Sequence, residues 1–467
     1  MSAEAASWSL CEAARALRAG RLSAVEYVTD LIAHERARGD LGAYITRAHE
    51  QALDAAREAD RTSPAGPLHG MPLVVKDNID VAGIRTTGGT PRLHAHMPAS
   101  DSAVWRRLAA AGAMLLGKTS MHELAYGVTG ICVGAPTARN PVNTDYLAGG
   151  SSSGTATAVA AGFAPAGLGT DTGGSARIPA AFCGIVGFRP TTGRYPHAGV
   201  LRISPSRDTV GLMARDPDDI VLLDSILAAA DGDRRMARDA GRPIRLAVPD
   251  HAWHSLDPDV ARVAANALAL LERAGCVLVS VGDEILGGPS AALLDVATAV
   301  PLAETPAAVA AYLADSGSTD TFEDVIREVA SPDVRGVLAP LLDAPFPREA
   351  YRHALAAQAR LRAAATAAHR LHDVDAVVLP STILPSPSID VGEHVVLDGA
   401  SMPTFLACIR NTAPAAVLGA PSVTLPAGKT RHGLPVGLQF DGQPHADTRL
   451  LDLARQCSRL LESVNRP

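Results

Sequence analysis

Apolar and polar positions alternate between helical and strand spacing along most of this chain. Ser9 with Glu12, and Ser23 with Glu26, have capping-box spacing, which predicts a helix ending at Gly20 and a second running towards Arg38. A short strand over 43–46 and a helix to about residue 61 come next. The turn P-L-H-G-M-P (67–72) then leads into Leu73-Val74-Val75, an apolar run that predicts a buried strand ending at Lys76-Asp77-Asn78. Further helices are predicted over 102–112 and 155–161, with strands over 113–116 and 163–169. Asp216-Pro217-Asp218 predicts a helix to about residue 230 with proline in its first turn. In the second half, strands are predicted over 244–248, 276–281, 376–379, 422–425 and 435–440. Helices there cover 260–274, 348–372 and 445–461. The stretch 285–347 is Ala-rich and reads as helical, but its pattern is too weak to place boundaries. The polar segment 231–242 is the one plausible linker, and no internal repeat is present. Strands alternating with helices throughout predict an α/β sandwich around a mixed sheet.

Composition narrows this picture. Apolar residues at 47% and charged residues at 19% suit a soluble globular chain, and 467 residues alone admit two or three domains. A net charge of -7 without a basic run argues against a nucleic-acid surface. No uninterrupted apolar run reaches the ~20 residues that span a bilayer, so no membrane partner is expected. The start M-S-A-E-A-A-S-W lacks a basic and then apolar leader, which predicts a cytoplasmic protein. Six scattered cysteines without C-x-x-C spacing read as reduced thiols rather than a disulfide framework or zinc site. Of 42 basic residues only Lys76, Lys118 and Lys429 are lysine. Arginine cannot deprotonate in a protein whereas a buried lysine can, so each lysine is a candidate for chemistry.

Between residues 147 and 189, glycine and hydroxyl residues are concentrated in two clusters, G-G-S-S-S-G (149–154) and G-G-S (173–175). Such glycines let a ligand approach the main chain and expose its N–H groups. A linker is excluded by the apolar, strand-like segment between the clusters. Gly150 to Gly154 also satisfies the G-x-S-x-G nucleophile elbow, but the polar residues 140–146 before it are not the strand that an elbow requires. His94, His96 and the pair His122-Glu123 lack metal-motif spacing, and no Lys-Ser/Thr tail completes a phosphate loop.

V-V-K-D-N-I-D-V-A-G (74–83), G-G-S-S-S-G (149–154), T-D-T-G-G-S-A-R-I-P-A (170–180) and G-L-P-V-G-L-Q (433–439) together resemble the amidase signature family. Ser153 stands where that family commonly has glycine. The resemblance implies a single amidase domain over 1–467, an α/β/α sandwich around a large twisted mixed β-sheet. It places N-terminal helices at about 8–61, a signature core at about 70–215 and a variable substrate-pocket region at about 285–346. It further implies a Ser–Ser–Lys triad without metal or cofactor. Ser175 would be the nucleophile, and Ser151, preceded by a cis peptide bond, would relay its proton to neutral Lys76. The backbone N–H groups of Thr172, Gly173, Gly174 and Ser175 would form the oxyanion hole. Ser152 would be a supporting hydroxyl, with Asp171 and Arg177 as structural hydrogen-bond partners.

Residues 187–196 and 204–215 are most similar to the indoleacetamide and mandelamide hydrolases of this family. They imply an amidohydrolase that cleaves a small aryl or aryl-acetic amide to acid and ammonia or amine. Carbamate or anilide hydrolysis by the same triad, a glutaminase subunit of a tRNA-dependent amidotransferase, and an inactive amidase-fold binding protein are the alternatives. The expected partner is a small-molecule amide or carbamate, and a homodimer is left open.

Overall fold

The structure is a computed structural model that describes residues 6–64, 66–228, 242–288 and 290–465. Its strands in chain order are β1 (Tyr44–Arg47), β2 (Met71–Lys76), β3 (Ala113–Thr119), β4 (Ala166–Asp171), β5 (Val186–Arg189), β6 (Thr209–Ala214), β7 (Arg245–Pro249), β8 (Val277–Val281), β9 (Ala376–Pro380), β10 (His394–Leu397), β11 (Ala400–Pro403), β12 (Ser422–Lys429) and β13 (Pro435–Asp441). Eleven of them form one sheet in the order β1-β3-β2-β4-β6-β5-β12-β13-β9-β7-β8, and β10 pairs with β11 as a separate hairpin. The sheet is mixed. β2 runs parallel to both β3 and β4, and β7 runs parallel to β8 and β9. The contacts β4 to β6, β5 to β12 and β12 to β13 are antiparallel.

Side chains alternate between the two faces of these strands, and each face is covered by helices. On β6, Val210, Leu212 and Ala214 join the large core with Leu10, Tyr27 and Leu223, while Met213 packs with Ala156, Val159, Ala176 and Ala180. On β9, Ala376 and Val378 join that same large core, whereas Val377 and Leu379 meet Val296, Val300 and Leu361. An α/β sandwich around a mixed sheet is thus what the chain forms.

Both N-terminal capping boxes form, opening helices Leu10–Arg18 and Ala24–Arg38, and Arg348–His372 spans the predicted helix. The strand expected over 163–169 lies further on, ending at Asp171, because Gly162 turns the chain and the 163–165 run is core-packed loop. Residues 231–241 of the expected linker lie outside the described residues. The weakly patterned stretch divides into helices Ser290–Asp315, Phe322–Arg327, Pro332–Leu338 and Pro340–Asp343. The first is long and apolar enough to cross a membrane by length and composition, but Val296, Val300, Val309 and Leu313 are buried against the rest of the protein. It holds Pro301 and Pro306 in its interior. Proline has no N–H, so Pro301 leaves the carbonyl four residues earlier without a helical partner. Arg207 Nη1 donates to that carbonyl, Ala297 O, at 2.7 Å.

Candidate active site

Two parallel neighbours, β2 and β4, end at the same edge of the sheet, with Lys76 last on one and Asp171 last on the other. Crevices outside the carboxyl ends of strands are where open α/β sheets bind ligands. Both serine clusters reach this edge. Ser151 and Ser152 sit just before helix Ser153–Ala160, and Gly173 to Ser175 lie between β4 and helix Arg177–Cys183. Both helices are almost wholly buried, and Ser153–Ala160 is built from small residues, which lets its backbone pack close to the sheet.

Lys76 is fully buried, and its Nζ donates to Ser151 Oγ and Thr170 Oγ1, both at 2.7 Å. Burial pushes its pKa down to about 7, against an opposing pull from the charges of Asp171 and Asp208. Lys118 is equally buried but has a carboxylate beside it. It faces Asp77 at 3.2 Å and donates to Thr86 Oγ1 at 2.8 Å. Lys429 is exposed. Among the described residues Lys76 has no carboxylate within ion-pair distance, so its neutral form leaves no paired anion behind.

The Gly150–Ser151 peptide bond is cis. Ser151 O accepts from His122 N–H at 3.1 Å, and Ser152 N–H donates to Ser175 O at 3.1 Å, which ties the two serine clusters together. Ser152 Oγ lies 3.2 Å from both Thr170 N and Thr170 O, and thereby holds the end of β4. Ser175 is the least buried of the three candidate triad residues, at 9% exposure. Its hydroxyl makes no hydrogen bond among the described residues.

The 171–175 loop is held by its carbonyls. Arg189 donates to Asp171 O, Arg207 to Thr172 O at 3.0 Å and Thr412 Oγ1 to Gly173 O at 2.7 Å. Gly174 O accepts from Arg177 N–H and Ile178 N–H. In a trans peptide the N–H points opposite to the carbonyl, so fixing each carbonyl also aims the next residue's N–H. One of the four expected oxyanion donors is already engaged, because Gly174 N–H reaches Asp171 Oδ1 at 3.0 Å. The glycine at this position has a steric reason. Its φ is +139°, and a Cβ there would stand 2.3 Å from Thr412 Oγ1.

Asp171 also receives Arg177 through Nε and Nη2, both at 3.0 Å, and Arg189 at 3.2 Å. Burial alone would raise its pKa, but the two guanidinium groups hold the carboxyl well below the usual carboxylate range. Asp171 and Arg177 therefore form a buried structural pair. Thr170 and Asn78 went unassigned in the sequence. Asn78 Nδ2 donates to Thr170 Oγ1 at 3.2 Å, and that hydroxyl is the second acceptor of Lys76. Both stand inside the K-D-N and T-D-T runs, which was the available signal.

The rival metal ligands have other duties. His96 Nε2 lies 3.2 Å from Tyr312 Oη and His122 Nε2 lies 2.9 Å from Asp333. Glu123 accepts from the backbone N–H groups of Ala330 and Ser331. The unusual Ser153 fits because Gly130 has no side chain; a Cβ on Gly130 would lie 2.6 Å from Ser153 Cβ. Among the described residues its hydroxyl is buried without a partner. Ser153→Ala is expected to stabilise the fold by about 1 kcal/mol, since a buried unpaired hydroxyl is costly. Urea unfolding should show a higher midpoint at unchanged slope, and a lower midpoint would mean that the hydroxyl is satisfied.

The amidase family profile matches residues 26–451. A mandelamide hydrolase of Pseudomonas putida is 36% identical over 477 residues, which cover 97% of this chain and 91% of that one. An indoleacetamide hydrolase of Agrobacterium vitis is 37% identical over 453 residues, 95% of each chain. Among solved structures, an amidase superposes with a TM-score of 0.85 at 33% identity, covering 98% of this chain and 99% of its own. The native peptide amidase from Stenotrophomonas maltophilia superposes with a TM-score of 0.81 at 28% identity, covering 98% and 97%. With matches across nearly its whole length and a lysine–serine pair at the sheet edge, the chain belongs to the amidase family of amide hydrolases.

Proposed function

We propose that the protein hydrolyses small, neutral primary amides with an aryl or aryl-acetic acyl group, through an acyl-enzyme on Ser175. The observation that carries this reading is Lys76: fully buried, 2.7 Å from Ser151 Oγ and lowered to about 7. A serine hydroxyl needs a base to become a nucleophile, and a neutral amine is one. Ser175 Oγ attacks the amide carbonyl while its proton passes to Ser151 Oγ and the Ser151 proton passes to Lys76 Nζ. The tetrahedral oxyanion is met by the N–H groups of Thr172, Gly173 and Ser175; Gly174 is left to anchor the loop on Asp171. The same relay returns a proton to the departing nitrogen, ammonia leaves, and water repeats the sequence on the ester. This relay requires Ser175 Oγ to come within hydrogen-bond reach of Ser151 Oγ when substrate is bound, as catalytic hydrogen bonds often tighten only then.

The named substrates of the two relatives support the aryl-acetic class. Beside Thr170 and Thr172 lies a cavity of about 10 Å³, room for one water, lined by Val200, Leu201 and Ile203 together with His197, Arg202 and Asp208. Helix Ser290–Asp315, within the region expected to form the pocket, bonds residues beside this cavity: Thr305 donates to Ile203 O at 2.7 Å, and Glu304 accepts from Ser204 Oγ at 2.8 Å. The test compares kcat/KM for phenylacetamide, mandelamide, indoleacetamide, glutamine, an anilide and an alkyl or aryl carbamate. The three aryl-acetic amides should lead. A lead for glutamine would replace this reading with a glutaminase, and a tenfold lead for the anilide or carbamate would leave the triad but change the substrate class.

A further inference from the structure

A second cavity, about 320 Å³ in volume, lies between helix Arg348–His372, the turn after β5 and the turn after β13. None of Lys76, Ser151 and Ser175 lines it. Arg362, Thr366 and His369 project into it from one face of the helix, and Ser206 and Thr192 approach from the other side. Ala365, Leu418 and Pro444 add an apolar wall.

The charge in this cavity is unbalanced. No aspartate or glutamate lines it. Among the described residues the Arg362 guanidinium makes one hydrogen bond, from Nε to Val417 O at 3.2 Å, and burial alone lowers its pKa. His369 is 6% exposed, and among the described residues its Nδ1 and the hydroxyl of Ser206 are buried without a partner. Buried polar groups left unpaired are costly and uncommon, and two beside one cavity indicate a missing hydrogen-bond partner. An anion supplies the counter-charge for Arg362 and the acceptor oxygens for His369 and Ser206. The apolar wall and the volume fit a compact organic body better than a bare inorganic ion.

We propose that this cavity is a second binding site, separate from the active centre, for a small organic carboxylate of benzoate or phenylacetate size. Acids of this class are what amide hydrolysis on an aryl framework would release. The site also shares walls with the supports of the 171–175 loop. Thr192 Oγ1 accepts from Arg189 at 2.8 Å, and Ser206 precedes Arg207 in the chain; these two arginines hold Asp171 O and Thr172 O.

The test is calorimetric titration of the full chain with benzoate, with benzyl alcohol and inorganic phosphate as controls. Saturable benzoate binding is expected, with weaker or no binding of either control. Arg362→Gln removes the counter-charge and Thr366→Leu fills the space; either should weaken benzoate about tenfold or more while leaving amide turnover without benzoate unchanged. The two variants act independently, so one that fails to fold leaves the other to decide. The proposal is overturned if wild type shows no saturable binding, if phosphate binds as well as benzoate, or if the folded variants bind benzoate undiminished.

Discussion

Ser175→Ala is expected to lose essentially all amide turnover, by several orders of magnitude in kcat, while remaining folded. The size of the effect follows from the chemistry: without the hydroxyl there is no atom to carry the acyl group, and the remaining residues of a nucleophile–base unit act little without their partner. Retention of the fold follows from the surroundings. Ser175 contributes its carbonyl to Ser152 N–H, and alanine keeps that carbonyl. Its side chain makes no hydrogen bond among the described residues, so truncation strands no buried partner. The loop stays anchored by Asp171, Arg189, Arg207 and Thr412. Circular dichroism and urea unfolding should match wild type, and turnover of the best amide should fall to background. A folded variant with substantial turnover would assign the nucleophile elsewhere.

Lys76→Arg should be almost as inactive as Lys76→Met, although it keeps a positive charge. Arginine cannot give up its proton in a protein and so cannot accept one from Ser151. The larger guanidinium would also have to displace Ser151 or Thr170, each 2.7 Å from Nζ. In wild type, kcat/KM should rise with pH through about 7, where Lys76 becomes neutral. Stability carries a second signature. The pKa is about 7 in the folded protein and 10.5 for a free lysine, so between these values the unfolded chain binds one more proton. Folding stability therefore climbs with pH across that window, and Lys76→Met should lack the climb. Substantial activity in Lys76→Arg, or identical pH–stability curves for wild type and Lys76→Met, would remove the neutral base from the account.

The elements that could be read in the sequence were those whose signal is local. Ser9 and Glu12, or Ser23 and Glu26, bond each other across a single turn, so their spacing predicts the cap that forms. Strand β2 was legible because both its faces are buried, which leaves an uninterrupted apolar run. The helix Arg177–Cys183 and strands β5 and β6 were missed. Arg177, first in the helix, is held by Asp171 and by the distant Ser422 and Gln439, and Arg189, last in β5, is held by Asp171 and Arg207, all outside the elements themselves. The 290–315 helix was blurred by Pro301, which ordinarily argues against a helix interior. Here the carbonyl it leaves unpaired is taken by Arg207, which also holds Thr172 O, so the departure from local rules lies where the fold supports its site. Within the site, Lys76, Ser151 and Ser175 were legible through the resemblance of their motifs to the amidase signature family; the glycine clusters and the scarcity of lysine drew attention to them without giving a role. The engagement of Gly174 N–H by Asp171 could not, because it depends on the direction of a single peptide plane.

The most direct test of the account is covalent. The wild-type protein is treated with a fluorophosphonate probe, digested, and the modified residue located by mass spectrometry, with Lys76→Arg and Ser175→Ala treated in parallel. The account predicts a single adduct on Ser175, formed faster as the pH rises through about 7, as the lowered pKa of Lys76 requires. It also predicts slow labelling in Lys76→Arg and none in Ser175→Ala. An adduct on Ser151, Ser152 or Ser153, or labelling of Ser175 at the same rate in Lys76→Arg, would contradict it.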